Sequence, residues 1–221
     1  MLFVLPMKPH EGQRVLRGGA PVAAARTALV LIHGRGATAE DIYALGEEVA
    51  VGVRGVALVA PQASGNVWYP QRFLAPLAQN EPHLSSALAV IAGLLADLGR
   101  GGIPGERVVL VGFSQGACLS LEFAARNARR YGGVMGLSGA LIGPPGTPRP
   151  RAGSLAGSPV YLGCSDQDAH IPLACVEESA RVMEGLGGAV TKSIFPGMGH
   201  TVNAEEMAVM RGLVRGLAEG V

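Results

Sequence analysis

The sequence predicts an α/β fold, a mostly parallel central sheet with helices on both faces. Three observations carry that prediction. Short apolar runs alternate with helix-like segments along the chain, the order that yields parallel strands joined by crossover helices. Several runs are apolar at consecutive positions, as expected of strands covered on both sides. The chain has 221 residues, 48% hydrophobic and 16% charged. At that size folding buries roughly 70% of the unfolded surface, so a full core is available. One domain over residues 1–221 is expected, because open α/β folds often exceed about 200 residues without dividing.

Taken in order, ALVLIH (28–33) and GVALVAP (55–61) read as the first two strands. Residues 64–80, SGNVWYPQRFLAPLAQN, hold the only tryptophan and two prolines and follow no clean period. Leu84, Leu88, Ile91, Leu95 and Leu98 then recur at spacings of four and three, one face of an amphipathic helix. RVVLVGF (107–113) is the next strand, running through Ser114 into the helix-like GACLSLEFAARNA. GVMGLSG (133–139) follows as a strand. Residues 141–158 are too rich in Pro and Gly to sustain a helix. PVYLGC (159–164) and VTKSIFP (190–196) read as the last strands. The tail carries Met207, Met210, Val214 and Leu217 on one helical face, with Glu206, Arg211 and Arg215 placed on the other.

Composition excludes several classes. Eighteen basic and 17 acidic residues give a net charge of +1, with no basic footprint for nucleic acid and no polybasic patch for a membrane surface. The opening MLFVLPMKPH is broken by Pro6 and lacks a charged leading region, so it is not expected to be a signal peptide. No run reaches the roughly 18 apolar residues that span a bilayer, and stable membrane insertion is not expected. Three cysteines, Cys118, Cys164 and Cys175, form no C-x-x-C pair; reduced, structural thiols in a cytoplasmic protein are the expectation. No H-E-x-x-H or clustered ligand spacing appears, so no metal is expected, and HGRGA lacks the G-x-G-x-x-G spacing of a dinucleotide loop. No cofactor is expected.

The chemistry concentrates at Gly112-Phe113-Ser114-Gln115-Gly116. A G-x-S-x-G turn between strand and helix must be sharp, and small residues on both sides let the two elements pass. The helix that follows aims its N-terminal amides at the same point, which favours a developing negative charge. The structural alternative makes Ser114 a helix N-cap. A nucleophilic hydroxyl needs a base, and the base needs a group to hold its tautomer. His200, in FPGMGHTVNAEE after the last strand, reaches the same strand ends with Gly197 and Gly199 beside it. Asp166 and Asp168 follow the 159–164 strand; Asp168 is chosen as the orienting acid, with Asp166 a turn residue and His170 in the loop wall. The order Ser114, Asp168, His200 is that of the α/β-hydrolases. Two oxyanion donors are expected, the amide of Gln115 and that of Arg35 in HGRGA, with His33 ordering that loop and the Arg35 side chain not required.

LIHGRGA, APQA with SGNVWYP, GFSQGA, SDQDAHIP and GMGHTV run over nearly the whole chain, which resembles the serine carboxylesterase and acyl-protein thioesterase group of α/β-hydrolases, the phospholipase/carboxylesterase family. The resemblance implies an α/β-hydrolase fold without a large cap domain, a catalytic triad of Ser114, Asp168 and His200, and an oxyanion hole from the amides of Arg35 and Gln115. It implies cofactor-free hydrolysis of short- to medium-chain esters of small molecules by enzymes that often form homodimers. Trp68, Tyr69 and Phe73 are expected as walls of the substrate pocket. The thioesterase branch usually shows Leu-Gly-Asp after His-Gly, where this chain has Arg35-Gly36-Ala37. A carboxylesterase therefore stands ahead of an acyl-protein thioesterase or lysophospholipase. A non-catalytic binding scaffold ranks last, since such proteins lack a triad member and none is missing.

Overall fold

The computed structural model describes residues 8–149 and 152–220. The first seven residues of the apolar opening, and Pro150 and Arg151 in the second irregular segment, lie outside the described residues.

Among the described residues seven strands form one sheet: β1 Val15–Gly19, β2 Thr27–Ile32, β3 Val56–Pro61, β4 Val108–Phe113, β5 Gly133–Leu137, β6 Pro159–Ser165 and β7 Ala189–Phe195. Their order is β1-β3-β2-β4-β5-β6-β7. β1 pairs antiparallel with β3, and the other neighbours run parallel. Five α-helices among the described residues cover the sheet: α1 Ala39–Ala50, α2 His83–Arg100, α3 Gln115–Arg126, α4 Leu173–Gly185 and α5 Ala204–Glu219. Among the described residues no helix is long and apolar enough to cross a membrane.

The consecutive apolar runs have the expected cause. On β2, Ala28, Val30 and Ile32 pack with α2 and α3, while Leu29 and Leu31 pack with α1 and α5. Every residue of β2 and β3 is buried, so neither strand has a polar face to show. The predicted face of α2 is the observed one, with Leu84, Ile91, Leu95 and Leu98 in the core.

Two features differ from the sequence reading. β1 was not among the predicted strands; it is short, half-exposed and carries Arg17, Gly18 and Gly19, and pairing with β3 makes it a strand. Glu206, placed with Arg211 and Arg215 on the outer face of α5, is fully buried. It is the third helical residue and closes a capping box: Asn203 Oδ1 accepts from the Glu206 amide at 2.9 Å, and Glu206 Oε2 accepts from the Asn203 amide at 2.9 Å. Closing that box turns the side chain inward against Gly163 of β6, where a Cβ would collide with Oε1.

Candidate active site

Ligand sites in open parallel sheets lie at the carboxyl ends of the strands, and four loops meet there in this chain. Ser114 follows β4 directly, the β6 loop carries Asp168, the β7 loop carries His200, and the β2 loop carries His33 to Gly36.

Ser114 takes φ 55°, ψ −118°, a region L-residues enter only when surrounding structure enforces it. Close packing enforces it here. A Cβ on Gly112 would fall on the backbone of Gly116, and one on Gly116 would fall on the carbonyl oxygens of Ile32 and His33. Ser114 occupies the N-cap position of α3, yet its side chain makes no cap hydrogen bond. The hydroxyl instead stands 2.8 Å from His200 Nε2.

His200 Nδ1 is 2.7 Å from Asp168 Oδ2. The same carboxylate accepts from the amides of His170 at 2.8 Å and Ile171 at 3.0 Å through Oδ1. Burial by itself would raise the Asp168 carboxyl; the bond from His200 and the two amides outweigh it and hold its pKa below the usual value. A charged Asp168 accepts a hydrogen bond from Nδ1–H and so favours the tautomer with its proton on Nδ1, which leaves Nε2 free to accept from the Ser114 hydroxyl. The His200 loop is fastened from β6: Gly199 donates to Ser165 Oγ at 3.1 Å and Gly197 to Asp166 Oδ1 at 2.8 Å. Asp166 thus ties two loops together.

The β2 loop approaches the elbow closely, since a Cβ on Gly34 would lie 3.4 Å from Ser114 Cβ. Neither the Arg35 amide nor the Gln115 amide has a backbone acceptor among the described residues. His33 orders this loop, with Nδ1 2.7 Å from the Gly34 carbonyl and Nε2 accepting from the Ala63 amide at 3.1 Å. The Arg35 side chain does take part in the structure: its guanidinium donates to the carbonyls of Tyr69, Pro70 and Gln71 at 2.8, 3.1 and 2.6 Å. Gln115 holds the same segment from the other side. Its Oε1 accepts from the Trp68 amide at 2.9 Å, and its Nε2 donates to the Tyr69 carbonyl at 2.8 Å.

A cavity of about 310 Å³ opens beside Ser114, walled by Tyr69, Phe73, Phe113 and Ile171 and edged by Arg35, Arg72 and His170. Tyr69 and Phe73, two of the three aromatics expected as pocket walls, line this cavity. Trp68 does not. It is fully buried behind the wall and does not line the cavity, because its indole Nε1 donates to the His33 carbonyl at 2.9 Å and its ring packs between His10 and His33, centroids 5.3 and 5.0 Å away. Cys118, another lining residue, is no rival nucleophile: burial pushes its thiol up to about 12. Arg72 and the Gln115 amide side chain escaped the sequence reading. For both the one available signal was position, Gln115 beside the serine and Arg72 beside Phe73.

The chain matches the family model described as Phospholipase/Carboxylesterase over residues 17–216. The crystal structure of a phospholipase/carboxylesterase from Dyadobacter fermentans superimposes with a TM-score of 0.86 at 38% identity, covering 95% of this chain and 99% of that one. The esterase PE8 follows at TM-score 0.74 and 26% identity, covering 93% and 98%. An acyl-protein thioesterase 1 from Gibberella zeae is 32% identical over 117 residues, 52% of this chain and 49% of that protein. One from Yarrowia lipolytica is 29% identical over 149 residues, 60% and 63%. These two matches span about half to just under two thirds of the curated relatives' length.

Proposed function

Because this chain belongs to the phospholipase/carboxylesterase family, we propose that it is a serine carboxylesterase acting on short- to medium-chain esters of small molecules. The observation that carries the reading is the continuous relay from Asp168 through His200 to a serine hydroxyl that makes no cap bond. In this reading Ser114 attacks the ester carbonyl as His200 Nε2 takes its proton, and Asp168 stabilises the imidazolium. The amides of Arg35 and Gln115 receive the oxyanion. His200 then returns its proton to the departing alkoxide, leaving an acyl-Ser114. Water, deprotonated by the same His200, attacks that acyl group; the bond to Ser114 Oγ breaks, His200 returns the proton to that oxygen, and the acid departs.

A cavity of about 310 Å³ lies at the small end of the roughly 300–1,000 Å³ of ligand pockets, which favours acyl groups of modest length. Three free thiols among the described residues fit a cytoplasmic setting; a homodimer belongs to the same proposal and is read from mass in solution. A second reading, hydrolysis of acyl thioesters, draws on the thioesterase relatives. The loop after His33 weighs against it, since Arg35 is committed to holding the 69–71 segment.

The test is hydrolysis of p-nitrophenyl esters from acetate to palmitate, beside a palmitoyl thioester, by the wild type and Ser114→Ala. Turnover should peak at short chains and fall at least about a hundredfold in the variant. A folded Ser114→Ala that keeps its turnover would refute the assignment; a palmitoyl thioester outpacing every ester would replace it with the second reading.

A further inference from the structure

The charges around the cavity do not balance, and we infer that the site takes esters bearing a carboxylate, with Arg72 as the residue that meets it. This inference rests on the hydrolase reading above and names its substrate class. Two arginines and a histidine edge the cavity, and no Asp or Glu lines it. Asp168 lies behind His200 with both oxygens already engaged. Arg35 is hydrogen-bonded, but to three neutral carbonyls, so its charge stays uncompensated. Arg72 is exposed at the mouth, and among the described residues its guanidinium enters no ion pair or hydrogen bond.

The backbone beneath Arg72 is built rather than loose. The Gln71 carbonyl is clamped by Arg35, and the Gln71 amide donates at 2.8 Å to Oδ1 of Asn80, which is fully buried. The Arg72 carbonyl accepts from the Ala75 amide at 3.0 Å and from Asn80 Nδ2 at 3.4 Å, and the Phe73 carbonyl accepts from Gly143 at 2.6 Å. Phe73, the next residue, is a buried wall of the same cavity. A guanidinium presented this way at a cavity free of carboxylates offers a planar fork to a carboxylate. The low-dielectric aromatic walls concentrate its field toward the mouth.

Two substrate pairs test this and locate the anion. On the acyl side, mono-p-nitrophenyl glutarate is compared with p-nitrophenyl valerate. On the alcohol side, the butyryl ester of 4-hydroxybenzoate is compared with that of 4-hydroxybenzamide. In at least one pair kcat/KM should favour the anion about fivefold or more at low salt, with the preference shrinking as salt screens it. Arg72→Gln should abolish the ratio and Arg72→Lys should keep part of it. The ratio is the readout, because a loss of packing slows both members alike. No preference in either pair, or one that survives Arg72→Gln, overturns the inference. Fluorophosphonate labelling of Ser114 separates the two failures: labelling without charge preference removes this inference alone, whereas no labelling and no turnover remove the hydrolase reading and this with it.

Discussion

Replacing Glu206 by Gln should change how stability depends on pH. The carboxyl is fully buried at the start of α5, and Oε1 finds no partner among the described residues. Burial is the largest influence on it and raises its pKa from the ordinary 4.5 to about 6; the bond from the Asn203 amide opposes this and the neighbouring Glu205 adds to it. Below pH 4.5 the group is protonated whether folded or not and has no effect. Between 4.5 and 6 the folded chain holds a proton that the unfolded chain releases, so stability falls as pH rises. Above 6 the full penalty is present, about 2 kcal/mol from the shift of roughly 1.5 units. Gln carries no charge at any pH and should be free of that penalty, although its amide adds a constant offset. The stability of Glu206→Gln relative to wild type should therefore improve by about 2 kcal/mol between pH 4.5 and 7.5. That corresponds to about 4–8 °C in Tm for a chain of this size. Calorimetry of both proteins at four or five pH values measures the difference, in which the other titrating groups cancel. A difference that stays flat across this window would refute the account of Glu206 as a buried, ionisable carboxyl.

Glu122 is a further buried carboxylate, and it is paired. Arg126 Nε approaches it at 2.7 Å, Arg149 at 3.1 Å, and the Ile142 amide donates to it at 3.0 Å. Glu122→Ala leaves a nearly buried Arg149 without its partner and should destabilise by about 3–5 kcal/mol, read by denaturant unfolding; Glu122→Gln should lose less. Gly116→Ala places a methyl against the Ile32 and His33 carbonyls, so α3 must move off β2 and carry Ser114 and the Gln115 amide with it. A displacement on that scale should lower kcat about a hundredfold, measured on p-nitrophenyl butyrate with folding checked by circular dichroism.

The site was more legible than its surroundings. Ser114, Asp168 and His200 each follow an apolar run and sit in a short loop marked by Gly or Pro, so the strand ends and the meeting of these three side chains could be read from the same residues. The two aromatics that wall the cavity were legible as well, in a segment of irregular composition. Trp68, one residue earlier, was not, because which way an aromatic turns depends on where the His33 carbonyl and the His10 ring lie. β1 was invisible for a related reason: VLRGG acquires its strand conformation from β3. Glu206 misled because helical periodicity describes the middle of α5, whereas its first turn obeys the capping geometry of Asn203.

β7 lies at the open edge of the sheet, bonded on one side to β6 and covered over only part of its length. The loop that leaves it carries His200, while Ser114 leaves β4 at the sheet's centre. Edge elements open locally at free energies below that of global unfolding. In the mechanism proposed above, an opening of this edge would withdraw His200 from Ser114, which stays in place, and would leave the molecule folded yet silent. Under the proposed mechanism the working fraction would follow how firmly β7 stays docked on β6, a quantity that stabilising the core elsewhere would leave unchanged.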